Sequence, residues 1–190
     1  PQADPFIVPV CHETYAVLYA DDDILLIHKP SGLLSLSGKH PLNLDSLHHR
    51  LVKEYPSAKL LHRLDFGTSG IMLVALNKPA NGNLTRQFQD RNIGKSYTAI
   101  LHGHLEEDSG RISLPIAKDV DQFPLQKICH ETGKTAISDF RVIERLENPA
   151  RTRVEFTPVS GRTHQLRIHS QQIGHPILGC DLYATDEAFF

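Results

Sequence analysis

No apolar run in this 190-residue chain exceeds six residues, and a membrane-spanning helix needs roughly 20. Cysteine is scarce. Cys11, Cys129 and Cys180 are odd in number, widely spaced and form no Cys-x-x-Cys pair. A disulfide framework is therefore not expected, and a reducing compartment suits the chain. The opening residues Pro1-Gln2-Ala3-Asp4-Pro5 hold neither a basic cluster nor an apolar stretch, so no secretory signal is read there. Internal repeats, low-complexity tracts and a dividing linker are missing as well. A formal net charge of −2 confines any polyanion site to a local cluster. What the chain does have is 40% hydrophobic and 22% charged residues. At this length that is enough to bury a core, and a single domain over residues 1–190 is expected.

Strands and helices alternate irregularly. Residues 17–19 and 24–27 read as two strands joined by the acidic turn Asp21-Asp22-Asp23. Lys29-Pro30-Ser31-Gly32 then interrupts regular structure. Residues 44–54 suggest a short helix opening near Asn43 or Asp45, with Leu44, Leu47 and Leu51 spaced by three and four. The apolar run 71–76 predicts a central strand buried on both faces. Residues 80–90 read as a helix, weakened by about 1 kcal/mol at Gly82. Strands are predicted at 96–101, 111–114, 137–144 and 151–157, and a last helix at 163–173. Many strands with few helices imply an α+β fold, a mixed and mostly antiparallel sheet with a few flanking helices.

Three clusters carry candidate chemistry. In His62-Arg63-Leu64-Asp65-Phe66-Gly67-Thr68-Ser69-Gly70, an acid, a base and small polar residues crowd together. A carboxylate beside a guanidinium stays ionised even when partly buried, as covalent catalysis by Asp requires. The plainer reading is an Arg–Asp pair at a loop corner. In Gly161-Arg162-Thr163-His164-Gln165-Leu166-Arg167, running into the last helix, His164, Arg167 and Gln171 are spaced to share a helical face. That face suits a carboxylate, a phosphate or a base edge, or is simply solvated. Lys95-Ser96-Tyr97-Thr98-Ala99 follows Arg86 and Arg91 and offers an aromatic stacking surface among basic residues. The twelve histidines raise a metal site, but no ligand spacing supports one: His48-His49 are adjacent, and His102-x-His104 lacks a matching carboxylate or Cys.

These clusters, with Lys29-Pro30-Ser31-Gly32-Leu33 and Gly174-His175-Pro176-Ile177, resemble the RluA family of RNA pseudouridine synthases over about residues 17–183. The resemblance implies isomerisation of a uridine in structured RNA, from large-subunit rRNA, tRNA or both, with no cofactor and no required metal. It implies that Asp65 is the catalytic aspartate, bonding covalently to the substrate nucleotide while the uracil turns and its carbon 5 rejoins the ribose. Attack on the sugar, attack on the base and abstraction of a sugar proton all remain open routes. Arg167 is implied to pair with Asp65, and Tyr97 to stack on the flipped uracil. Arg63 would fill the gap left in the RNA, with His62, Thr68 and Arg162 as further substrate-binding residues and Arg86, Arg91 and Lys95 as phosphate contacts. A cytoplasmic monomer is expected. The second reading, a non-catalytic RNA-binding domain on the same fold, does not need Asp65, Tyr97 and Arg167 together. Cys180 departs from the family, since many members carry Asp there. Members usually continue past Gly-His-Pro-Ile into another strand, so a C-terminal piece of the core is expected to be lacking after Phe190. The 16 residues before Val17 are too few for the S4-like domain some members carry.

Overall fold

The computed structural model describes residues 6–180, 182 and 183, which divide between two compact units, Pro1–Ile93 and Gly94–Phe190. The first unit is organised around an antiparallel sheet of four strands: β1 (Ala16–Ala20), β2 (Ile24–Lys29), β3 (Lys59–Leu60) and β4 (Gly70–Ala75), in the order β1-β2-β4-β3. The acidic turn forms as expected. Oδ1 of Asp21 accepts the backbone N–H of Asp23 and of Ile24, each at 2.8 Å, which reverses the chain between β1 and β2. Strand β4 is central, but it is not buried on both faces. Met72 and Val74 are buried while Ile71 is 61% exposed, the alternation of a sheet with one covered face.

Helix α1 (Leu47–Glu54) starts later than its leucine spacing suggested. Its N-cap is Ser46, whose Oγ accepts the N–H of His49 at 3.0 Å. The two residues expected there are engaged elsewhere. Asp45 holds Arg50 through Nε at 2.8 Å and Nη2 at 2.6 Å, and Asn43 closes a 3-10 turn over Pro41–Asn43. Helix α2 (Lys78–Gln89) is capped by the Asn77 side chain on the N–H of Ala80, and Pro79 occupies its first turn, where a missing N–H costs nothing. Its stripe of Ala80, Leu84 and Phe88 is half-buried, and no residue of α2 is fully buried.

The second unit carries another four-stranded antiparallel sheet: β5 (Tyr97–His102), β6 (Ser109–Ser113), β9 (Ile137–Leu146) and β10 (Arg151–Pro158), in the order β5-β10-β9-β6. Leu101, Leu105, Ile112, Val154 and Phe156 form its buried cluster. Exposed side chains of opposite charge face each other across the strands: Arg111 and Asp139 at 2.6 Å, Arg141 and Glu155 at 3.2 Å, Arg153 and Glu144 at 2.8 Å. A hairpin of β7 (Ile116–Lys118) and β8 (Gln126–Ile128), for which no strands were expected, precedes β9. After α3 (Gln165–Gln172) the chain returns along β5, where Leu178 N–H donates to Ile100 O at 2.8 Å and His102 N–H to Pro176 O at 3.0 Å.

The turn after β8 requires glycine at 133. A Cβ there would overlap the carbonyl oxygen of Cys129 and come 2.9 Å from the carbonyl carbon of Pro115, so the backbone itself would have to shift. Gly133→Ala is expected to cost about 3 kcal/mol, read as a lower urea midpoint. An unchanged midpoint would show that the turn opens freely.

The α+β expectation holds, with every described ladder antiparallel. The three cysteines are free. Among the described residues no helix is long and apolar enough to cross a membrane.

Candidate active site

Asp65 lies on a segment between β3 and β4 that has neither helical nor strand regularity. Backbone groups on such a segment find no ladder partners, so other parts of the chain must satisfy and hold them. Residues 29–35 do so. The Ser35 hydroxyl, 4% exposed, accepts the N–H of Leu64 at 3.0 Å and donates to its carbonyl at 2.7 Å. Gly32 N–H donates to Phe66 O at 2.9 Å, and Ser31 Oγ donates to Gly67 O at 2.8 Å. Within the segment, Thr68 N–H closes onto Asp65 O at 3.0 Å. Gly32 adopts φ +78°, a conformation natural to glycine. Residues 64, 65, 66 and 67 are thus each held by the backbone, and half-buried Asp65 sits at the middle of the grip.

Lys29 lies beneath this loop. Its side chain is fully buried, with Nζ donating to the carbonyls of Leu33 at 2.6 Å, Pro30 at 3.0 Å and Phe66 at 3.4 Å. Burial lowers its pKa from 10.5 to about 8, against the pull of Cys11 and Asp65, which raise it. A buried ammonium is tolerated only where carbonyls or charges surround it, and here both do.

The neighbours of Asp65 divide by direction. Leu64 is buried and Arg63 is exposed. His62 is half-buried, its Nε2 accepting the N–H of Leu73 at 3.1 Å while its ring lies 5.2 Å from that of Phe88 on α2. Thr68 is half-buried at the end of the loop. In this unit Arg86 and Arg91 are exposed.

In the second unit, Tyr97 begins β5 opposite Phe156 of β10, and its ring packs against the same cluster as Leu166, the neighbour of Arg167 on α3. The approach to α3 is fixed by a buried polar network. Gln165 Oε1 accepts from Ser160 Oγ at 2.8 Å and from Arg162 N–H at 3.0 Å, while its Nε2 donates to Ile137 O and Ser138 Oγ, both at 2.9 Å. His169, fully buried, donates from Nε2 to Leu114 O at 2.9 Å and accepts the Ser138 hydroxyl proton on Nδ1 at 2.8 Å. That tautomer is neutral, in keeping with a pKa lowered by burial. Arg162 is anchored by Nε on Thr135 O at 3.0 Å. His164 is not on the helical face expected for it. It is the N-cap of α3 at φ 55°, outside the helical turn that relates Arg167 to Gln171.

The grip on the loop of Asp65 is a feature that the sequence pattern did not reveal. Lys29 and Ser31 stood in a motif without an assigned role, and Ser35 carried no signal. Among the described residues no group of three or more His, Cys, Asp or Glu side chains is arranged to hold a metal ion.

The profile of the RNA pseudouridylate synthases matches residues 23–172. The dual-specificity RNA pseudouridine synthase RluA of Yersinia pestis is 48% identical over 172 residues, covering 90% of this chain and 83% of its own. Its counterpart in Escherichia coli (strain K12) is 43% identical over 189 residues, covering 99% of this chain and 82% of its own. The solved human RNA pseudouridylate synthase domain containing 1 superposes with a TM-score of 0.77 at 31% identity, over 95% of this chain and 73% of that one.

Proposed function

The chain belongs to the RNA pseudouridylate synthase family, and from that premise we propose that it isomerises specific uridines of both large-subunit rRNA and tRNA through Asp65. It is an RNA pseudouridine synthase, an isomerase acting on RNA. The observation that carries the residue assignment is the hold on residues 64–67: a loop with no regular structure is fixed at four consecutive residues. Such fixing is what a covalent catalyst needs, because its carboxylate must meet one atom of a nucleotide in one orientation.

In this reading the N-glycosidic bond of the uridine breaks, the Asp65 carboxylate bonds to the nucleotide, and the uracil turns. A carbon–carbon bond then forms between carbon 5 and the ribose, and the bond between the nucleotide and Asp65 breaks, which returns the free carboxylate. The hydrogen on carbon 5 leaves to water and the former glycosidic nitrogen takes a proton, so the reaction is balanced without oxidant or reductant. Tyr97 supplies the stacking surface for the uracil and Arg167 the guanidinium partner of the carboxylate. Arg63, exposed and planar, takes the place of the flipped nucleotide. His62, Thr68 and Arg162 complete the substrate contacts, with Arg86, Arg91 and Lys95 meeting phosphates. Residues 1–190 act as one catalytic domain, monomeric and cytoplasmic, with no metal or cofactor taking part. The Yersinia and Escherichia relatives are named for dual specificity, and their identity over most of both chains supports it here.

The test uses rRNA and tRNA carrying tritium on carbon 5 of uracil. The expected result is release of tritium to water from both RNAs, unchanged after dialysis against a chelator. Release from one RNA alone would end the dual-target reading, and release from neither would end the assignment to these substrates.

A further inference from the structure

Arg167 is gripped from two sides by the segment that follows α3. Its Nε–H donates to Sγ of Cys180 at 3.2 Å, and its guanidinium carbon lies 5.6 Å from the centre of the Tyr183 ring. Cys180 and Tyr183 are 6% and 5% exposed and share a buried cluster with Ile116, Ala136 and Ile168. Tyr183 is itself fixed. Its hydroxyl accepts the backbone N–H of Gln126 on β8 at 2.9 Å and is hydrogen-bonded to Nδ1 of His164 at 2.8 Å. Cys180 is held through its own N–H on Ile177 O at 3.2 Å, and Ile177 bridges to Leu101 of β5.

We propose that Cys180 and Tyr183 are positioning residues for uridine isomerisation, Cys180 anchoring Nε of Arg167 and Tyr183 bracing the guanidinium. The proposal rests on the reading of Arg167 as a member of the active site. An arginine side chain turns about several single bonds, and anchoring Nε sets the plane of the guanidinium and the direction of its two terminal nitrogens. Sulfur is a weak acceptor, so this bond supplies direction more than strength. The Tyr183 ring adds a cation–π contact, and through His164 it ties the same brace to the turn that carries Arg162.

Turnover and KM are measured by tritium release for Cys180→Val, Cys180→Ser and Arg167→Gln, with urea unfolding of each. Val fills the space of the thiol but cannot accept a hydrogen bond, whereas Ser can. Cys180→Val is expected to lower kcat by about 30-fold, on the scale of small misplacements of catalytic groups, with KM within about 3-fold of wild type. Cys180→Ser is expected to recover most of the lost kcat although it is the more polar and less stable variant. Wild-type kcat in Cys180→Val, or losses in both variants that simply follow stability, would overturn the proposal. Full turnover by Arg167→Gln would instead overturn the underlying reading of Arg167. Should Cys180→Val not fold, the Nε–H resonance of Arg167 in 15N-arginine-labelled protein decides. It is expected to shift in Cys180→Ser, and an unmoved resonance would mean the thiol does not hold it.

Discussion

Replacing Asp65 by Asn is expected to lower tritium release by about 10^4-fold or more, the scale on which loss of a covalent catalyst is felt, while the chain stays folded. Asn keeps the shape of the side chain but is no nucleophile under these conditions. The fold survives because the bonds fixing this loop reach the backbone of residues 64–67: Ser35 on Leu64, Gly32 on Phe66, Ser31 on Gly67 and Thr68 on the Asp65 carbonyl. Asp65→Ala should behave alike, and it closes the route by which Asn might revert through deamidation. RNA binding by either variant should equal or exceed that of wild type, since an anionic group facing phosphates has been removed. Retained release would sink the assignment of Asp65. Loss of release together with loss of binding would make Asp65 a binding residue instead.

The second large effect belongs to Lys29, and it is a dependence on pH. Its folded pKa of about 8 lies below the ordinary 10.5. Below pH 8 both folded and unfolded chains carry the proton, and stability does not change on account of this group. Between pH 8 and 10.5 the unfolded chain holds the proton and the folded chain has lost it, so the unfolded state binds more protons. Stability attributable to this group therefore rises with pH across that window, by up to about 3 kcal/mol. It falls again as pH is lowered toward 8. Lys29→Met removes the titration and deprives three carbonyls of their donor. The stability of wild type relative to Lys29→Met, from urea unfolding at a series of pH values, should grow from pH 8 toward 10. Parallel curves would show that Lys29 titrates normally. A loop loosened by the loss of these bonds should also lower turnover at pH 7.5 by about 10- to 100-fold.

Asp65 stands out as a candidate in the sequence because of its neighbours: an acid and a base beside two glycines, ahead of an apolar strand, is an uncommon arrangement within a few residues. What holds Asp65 in place was not legible. Ser35 meets Leu64 across 29 positions and Lys29 meets Phe66 across 37, and their targets are backbone atoms that every residue possesses. No periodicity or composition can record such a bond. The strands of the second unit were readable where they were long, as at β9 and β10, and were missed at β7 and β8, where three residues are too few to display alternation. The start of α1 was misplaced because Asn43, Asp45 and Ser46 are all competent caps. Tertiary demands decided among them, Arg50 claiming Asp45 and the 3-10 turn claiming Asn43. His164 illustrates the opposite failure, a spacing that suits a helical face on a residue whose backbone lies outside the helix.

The paired charges on the sheet of the second unit bear on how this chain recognises RNA. Arg111, Arg141 and Arg153 each already face a carboxylate on the neighbouring strand. A phosphate approaching them finds a surface close to neutral, and few condensed cations leave the RNA in exchange for such a contact. With Arg50 and Arg145 they make five arginines that pair with a carboxylate among the described residues, so the cations able to drive counterion release are sought among the others, which include exposed Arg63, Arg86 and Arg91. The slope of log affinity against log salt therefore counts those cations rather than the basic residues as a whole. Attraction to RNA at long range is correspondingly weak, which leaves discrimination among RNAs to the shape of the folded target and to the base that it can surrender.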